Sequence, residues 1–180
     1  LSMTQGHDMS TSVTGKPLAV GGTRMHSGAT SSGCLVCARA AFVELGMTMT
    51  GARVVIQGFG KVGGPLAFLL HSAGMRVVAV ADVGGAVANE GGIDVGALSD
   101  HVATAGSVTG FSGGEPIPAD AIWEVECELL VPAALGGVID EGVARRVQAQ
   151  VIVEAANGPT TVEAQAVLEE RGIVVVPDIL

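Results

Sequence analysis

The sequence predicts an α/β fold: an open, mostly parallel, doubly wound sheet with helices on both faces. Three observations carry that expectation. Short apolar, β-branched runs recur along the chain without polar alternation. A strand that reads apolar throughout is buried on both faces, as strands of a parallel sheet are. Stretches of helical spacing separate these runs, as crossovers between parallel strands require. The third observation is local. Gln57-Gly58-Phe59-Gly60-Lys61-Val62-Gly63 sets a glycine turn between a β run and a helical pattern.

The elements follow in order. Leu1 to Gly22 is polar and rich in Gly, Ser and Thr, so residues 1–28 read as a connecting segment and 29–180 as the domain. Thr30 to Leu45 has helical spacing (Cys34, Cys37, Ala41, Leu45), and Gly46 ends it as a C-terminal glycine. Arg53 to Gln57 is the first strand. Lys61 to Ala73 is the helix after the glycine turn, stopped by Gly74. Arg76 to Ala81 is the second strand, and Gly84 to Gly92 is turn-rich. Asp94 caps a helix through Ala103, and Ser107 to Pro118 is a loop. Glu128 to Val131 is a strand. Asp140 caps a helix to Val147, with Arg145 and Arg146 placed favourably near its C-terminal end. Gln150 to Val153 is a strand running into Glu154-Ala155-Ala156-Asn157-Gly158. Thr161 caps a helix through Arg171, and Ile173 to Val176 is the last strand.

The glycine turn carries the chemistry. Gly58, Gly60 and Gly63 have the spacing G-x-G-x-x-G. With 27 glycines in the chain the spacing alone is weak; its place between strand and helix gives it force. In a dinucleotide site Gly58 permits the tight turn, Gly60 admits a pyrophosphate, and Gly63 lets helix pack on strand. The helix N-terminus then offers free N–H groups and a positive dipole end to the phosphates. Asp82 follows Gly63 by 19 residues at the end of the second strand. A carboxylate there meets a ribose 2′-hydroxyl and repels a 2′-phosphate, so the pattern implies NAD or NADP with NAD favoured. The motif makes the domain Rossmann-like.

Composition excludes other classes. The net charge is −9, whereas nucleic acid demands a basic face. The same charge disfavours an anionic membrane surface. Although 48% of residues are apolar, the run from Leu129 to Ile139 is far too short to span a bilayer. No basic region followed by an apolar one opens the chain, so no secretory signal is expected. Cys34 and Cys37 have CxxC spacing but lie in a helical run, and Cys127 lies in a strand. They read as small apolar core residues of a reducing, cytoplasmic protein, not as a metal site. His7, His26, His71 and His101 are scattered without ligand spacing.

Further runs add a family resemblance. They are Thr14-Gly15-Lys16-Pro17 with Gly21-Gly22, Ala29-Thr30, and Gln57-Gly58-Phe59-Gly60. Val131-Pro132-Ala133-Ala134-Leu135, Ala156-Asn157-Gly158-Pro159-Thr160-Thr161 and Val175-Val176-Pro177-Asp178-Ile179-Leu180 complete them. The chain resembles the cofactor domain of the glutamate/leucine/phenylalanine/valine dehydrogenases. That family interconverts an L-amino acid with its 2-oxo acid and ammonia, moving a hydride to or from a nicotinamide dinucleotide. The insert from Gly84 to Pro118, the run from Asn157 to Thr161 and the Pro177-to-Leu180 end resemble the glutamate branch. Gly60-Lys61-Val62-Gly63 and Ala134-Leu135-Gly136-Gly137-Val138-Ile139 resemble the branched-chain and phenylalanine branches, but the longer matches favour the glutamate branch.

The resemblance implies cofactor contacts at Thr30, Gly58, Phe59, Gly60, Lys61, Val62, Gly63, Asp82, Ala133, Ala134 and Asn157. Thr30 would face the nicotinamide end, or else be an ordinary helix N-cap. Asn157 would bond near the nicotinamide ribose, or else be a turn asparagine before Gly158. Lys61 stands where glutamate dehydrogenases often have asparagine, and could meet a phosphate or only solvent. The family's Thr-Gly-Arg-Gly run is replaced by Thr30-Ser31-Ser32-Gly33, and His26 stands where an arginine is usual. The family's catalytic lysine and aspartate belong to an upstream domain, and its glycine-rich lysine motif does not occur here. The implied picture is a cofactor domain cut from a longer homo-oligomeric enzyme, with no catalytic residue of its own. The alternative from another class is a non-catalytic nucleotide-binding module.

Overall fold

The computed structural model describes residues 28–179. The expected connecting segment lies outside the described residues apart from Gly28, as do the Thr14–Pro17 and Gly21-Gly22 runs, His26 and Leu180. Helix α1 (Ala29–Glu44) leads into β1 (Arg53–Gln57). Then come α2 (Gly63–Ser72), β2 (Arg76–Asp82) and β3 (Gly85–Ala88). Next are α3 (Val95–Ala105), β4 (Glu115–Ile117) and a 3-10 helix (Ala119–Glu124). The chain closes with β5 (Cys127–Pro132), α4 (Glu141–Arg146), β6 (Ala149–Val153), α5 (Val162–Glu170) and β7 (Val174–Val176).

The described strands form one sheet in the order β4-β3-β2-β1-β5-β6-β7. The five from β2 to β7 run parallel, and β3 and β4 are antiparallel at one edge. Alternate residues of each strand feed two apolar cores. Val54, Ile56, Leu129, Val131, Val151 and Val153 pack toward α1, α2 and α3. Val55, Ala79, Leu130 and Ile152 pack toward the 3-10 helix, α4 and α5. Both faces are thus covered, which is why the strand sequences show no polar alternation.

The caps are those expected. Asp94 accepts from Ala97 N–H, Asp140 from Val143 N–H, and Thr161 from Ala164 N–H. Three differences have physical causes. The glycine-rich stretch from Gly84 to Gly92 contains β3, a strand of small residues whose order comes from its hairpin pairing with β2. The loop from Ser107 to Pro118 contains β4, which holds Pro116 and sits at the edge, where a missing N–H is tolerated. Helix α2 starts at Gly63 and not Lys61, because the turn is still reversing direction until Gly63 comes down on Gly58.

Candidate functional site

Chain order reverses about β1: β2 lies on one side, and after the β3–β4 excursion β5 lies on the other. In open α/β sheets ligands bind outside the carboxyl ends of the strands at such a switch point. Here those ends are pinned together by main-chain bonds that prolong the sheet. Gly58 N–H donates to the Ala81 carbonyl (2.7 Å), Ala133 N–H to Gln57 (2.7 Å), Ala155 N–H to Pro132 (3.0 Å) and Glu154 N–H to Val176 (3.0 Å). The turns after β1, β5, β6 and β7 therefore lie side by side.

The three motif glycines do different work. Gly58 has φ +104°, and a Cβ there would sit 2.8 Å from the Ala133 carbonyl carbon and 2.9 Å from Ala134 N. So the two turns touch backbone to backbone, and this contact is where Ala133 and Ala134 meet the motif. A Cβ on Gly63 would fall 1.8 Å from the Gly58 carbonyl oxygen. Gly60 differs: a Cβ there would meet nothing within 4 Å. Its bare backbone faces open space beside the first turn of α2. There Gly64 N–H is taken by the Gly60 carbonyl (3.0 Å) and Pro65 has no N–H, so a ligand would meet the room at Gly60 and the backbone of the turn itself. That arrangement fits a diphosphate. Phe59 and Val62 are half-buried against the core, and Lys61 is exposed on the turn.

Thr30 is the second residue of α1, whose N-cap is Gly28 without a side-chain cap. Its hydroxyl is exposed and is not an N-cap. Ser31 beside it is buried and donates to the Val62 carbonyl (2.9 Å), which ties α1 to the glycine turn. A cleft of about 320 Å³ opens between α1 and the ends of β6 and β7, lined by Thr30, Cys34, Cys37, Glu154, Asn157 and Asp178 among others. Thr30 and Asn157, distant in sequence, share this cleft. Sequence reasoning did not single out Ser31, Glu154 or Asp178. The available signal for the last two was a carboxylate closing an apolar strand run.

Asp82 ends β2 as expected. Its Oδ1 accepts from Gly84 N–H (2.8 Å), Gly85 N–H (3.2 Å) and Ser107 Oγ–H (3.0 Å), and its Oδ2 from Val108 N–H (2.7 Å). A carboxylate has about four acceptor positions, two on each oxygen. Oδ2, with one donor, keeps an acceptor position open, while Oδ1, with three donors, is fully committed to holding the Val83–Gly85 turn and the Ser107-Val108 loop.

Cys34 and Cys127 are buried in the core, and Cys37 is half-buried at the cleft. Burial first, and the neighbouring Cys37 second, push the Cys34 thiol up. Burial pushes Cys127 up to about 12. Among the described residues no group of three or more His, Cys, Asp or Glu is placed to hold a metal, and no helix is long and apolar enough to cross a membrane.

Comparison with known proteins decides the family. The model of the glutamate/leucine/phenylalanine/valine dehydrogenase family matches residues 21–180. The chain belongs to this family. Among its relatives, the glutamate dehydrogenase of Thermotoga maritima is 44% identical over 180 residues, 99% of this chain and 43% of that protein. The catabolic NAD-specific glutamate dehydrogenase of Bacillus subtilis is 40% identical over 168 residues, 93% of this chain and 39% of that one. The hetero-hexameric glutamate dehydrogenase of Thermus thermophilus, solved in a leucine-bound form, superposes with a TM-score of 0.87 at 39% identity. That match covers 99% of this chain and 42% of the other. This family member therefore spans about two fifths of the length of the relatives it matches.

Proposed function

We propose that this chain is the nicotinamide-cofactor domain of a glutamate dehydrogenase, which converts L-glutamate, water and NAD⁺ to 2-oxoglutarate, ammonium, NADH and a proton. One observation carries the cofactor reading. Of the motif glycines, Gly58 and Gly63 are shut in by backbone, while Gly60 alone opens to space at a helix N-terminus. Names of relatives at 40% and 44% identity support glutamate, and one of those names supports NAD.

The residues would divide the cofactor between them. The backbone from Gly58 to Gly63 and the start of α2 bind the phosphates, with Lys61 placed to add a point charge. Asp82 Oδ2 accepts from the adenosine ribose. Thr30 and Asn157 hold the nicotinamide end in the cleft, over a substrate that a separate domain supplies. A bound nicotinamide supplies the hydride acceptor, and the contribution of this domain is orientation. By itself the chain should bind dinucleotide without turning over amino acid. The whole protein is proposed to be a cytoplasmic oligomer, like the hexamer named for the Thermus relative.

The test is glutamate-dependent NADH formation by the full-length protein, run beside leucine, valine and phenylalanine. Turnover of phenylalanine or a branched-chain amino acid in place of glutamate would move the domain to another branch. Binding without any turnover would make it a nucleotide-binding module. For cofactor choice, Asp82→Ser should narrow the advantage of NAD over NADP, at a cost to NAD of roughly 1.5–3 kcal/mol for lost bonds to a charged acceptor. Because Asp82 also holds the Ser107-Val108 loop, thermal unfolding is measured alongside calorimetric titration. A lower melting temperature with an unchanged affinity ratio would assign Asp82 to the loop alone.

A further inference from the structure

We propose that Asp178 and Glu154 form a carboxylate latch that positions Asn157 for the nicotinamide end of the cofactor. The inference rests on the reading of Asn157 as a cofactor contact. Neither carboxylate belongs to the glycine motif, and both line the cleft that holds Thr30 and Asn157.

The latch is a short chain of bonds across the ends of two strands. The Asp178 carboxylate accepts from Gly158 N–H through Oδ2 at 2.7 Å. The Asp178 N–H donates in turn to Glu154 Oε2 at 3.1 Å. Glu154 is only 9% exposed, and a buried carboxylate persists only where donors meet its charge. Its own N–H donates to the Val176 carbonyl at 3.0 Å, which fixes it to β7. So β7 reaches back, through Asp178, to the turn that follows β6.

That turn is held from its other side as well. Gly137 N–H donates to the Gly158 carbonyl at 2.8 Å. A Cβ on Gly136 would sit 2.9 Å from the Asn157 carbonyl oxygen, so the loop after β5 presses closely on it. Gly158 itself has φ +51°, a conformation that lets the chain reverse immediately after Asn157. Main-chain contacts thus grip the turn from the β5 side, and a side-chain carboxylate grips it from the β7 side. Asn157 stands exposed between the two grips. Removing the Asp178 carboxylate leaves one grip, and the direction of Asn157 loosens although the fold is intact.

The experiment uses the full-length protein and two ligands, NADH and ADP; ADP lacks the nicotinamide and its ribose. Asn157→Ala and Asp178→Ala should each weaken NADH roughly tenfold, the loss of about one hydrogen bond to a charged or pre-oriented group. Neither should change the affinity for ADP. Asp178→Asn, which keeps an acceptor oxygen for Gly158 N–H, should recover most of the NADH affinity. The double variant Asn157→Ala/Asp178→Ala should be no worse than Asn157→Ala alone, because the latch acts only through Asn157. Without any ligand, hydrogen exchange at the Gly158 amide should quicken in Asp178→Ala. Loss of NADH affinity in Asn157→Ala but not in Asp178→Ala would overturn the latch. Equal weakening of NADH and ADP in Asp178→Ala would overturn it too, since the residue would then only support the fold. NADH binding unchanged in Asn157→Ala, with ADP still bound, would instead remove the underlying reading of Asn157.

Discussion

The two ends of the sheet are built on opposite principles. At the amino end the polar groups are side chains that satisfy one another. Arg53, opening β1, donates from its backbone N–H to Glu128 Oε2 at 2.6 Å and from its guanidinium to Glu128 at 2.8 Å and Glu126 at 3.2 Å. At the carboxyl end the Asp82 and Asp178 carboxylates are spent on main-chain N–H groups, and the glycine turn leaves bare backbone facing open space at Gly60. A closed charge network steadies strands. The room left at Gly60 adds no packing to the fold and is worth having only if something binds there. The same chain thus sets its stabilising charge network and its proposed ligand turn at opposite ends of a five-residue strand.

Gly63→Ala should break the comparison most severely. Its Cβ would enter the Gly58 carbonyl oxygen at 1.8 Å, and backbone cannot step aside cheaply. The expected cost is about 3 kcal/mol or outright misfolding, checked by denaturant unfolding. Gly60→Ala is the sharper partner. With nothing near its Cβ and no positive φ, it should stabilise the fold by about 0.4–1 kcal/mol through the unfolded chain. The same change should weaken dinucleotide binding at least roughly tenfold, because the methyl takes the room a pyrophosphate needs. A Gly60→Ala variant that binds normally would remove this turn from the site.

At the other end, Glu128→Gln should cost about 1–2 kcal/mol, a figure reduced for partial solvent exposure of the pair. Hydrogen bonding from Arg53 holds the Glu128 carboxyl below its ordinary value. A group lowered in the folded state adds stability above its unfolded pKa and loses it as pH falls through the folded one. Wild type should therefore lose stability more steeply than Glu128→Gln on acidification below the ordinary carboxylate range, as melting temperatures against pH would show. The smallest effect concerns thiols. Cys37, half-exposed in the cleft, should alkylate before buried Cys34 and Cys127, and bound NADH should slow it. Mass spectrometry of the modified peptides would show whether Cys127 reacts first, contrary to this expectation.

What was legible in the sequence was what local chemistry determines. Strands β1, β2, β5, β6 and β7 stand within a residue or so of their apolar runs, because burial on both faces leaves a continuous mark. Gly58 and Gly63 were legible because only glycine fits against those backbones. Strand β3 was hidden: four small residues gain their extended shape from β2, not from their own preferences. Ser31, Glu154 and Asp178 were hidden for a related reason. Their partners lie 31, 24 and 20 residues away in sequence, a distance no local pattern encodes. Asp82 was half legible, its place at the strand end readable and its four internal donors not.

The pairing of β1 with β5 sets a timetable for synthesis. Val54 lies opposite Leu129, a separation of about 75 residues, so a ribosome adding 5–20 residues per second needs roughly 4–15 s to deliver the second strand. Through that interval β1 can pair with β2 on one side only. The other side of Val54-Val55-Ile56 is an unsatisfied, strongly apolar edge of the kind that recruits strands from other chains. The nascent protein is therefore most exposed to aggregation after β2 has emerged and before β5 has, and a pause in translation within that window should lower the soluble yield more than a pause after Pro132.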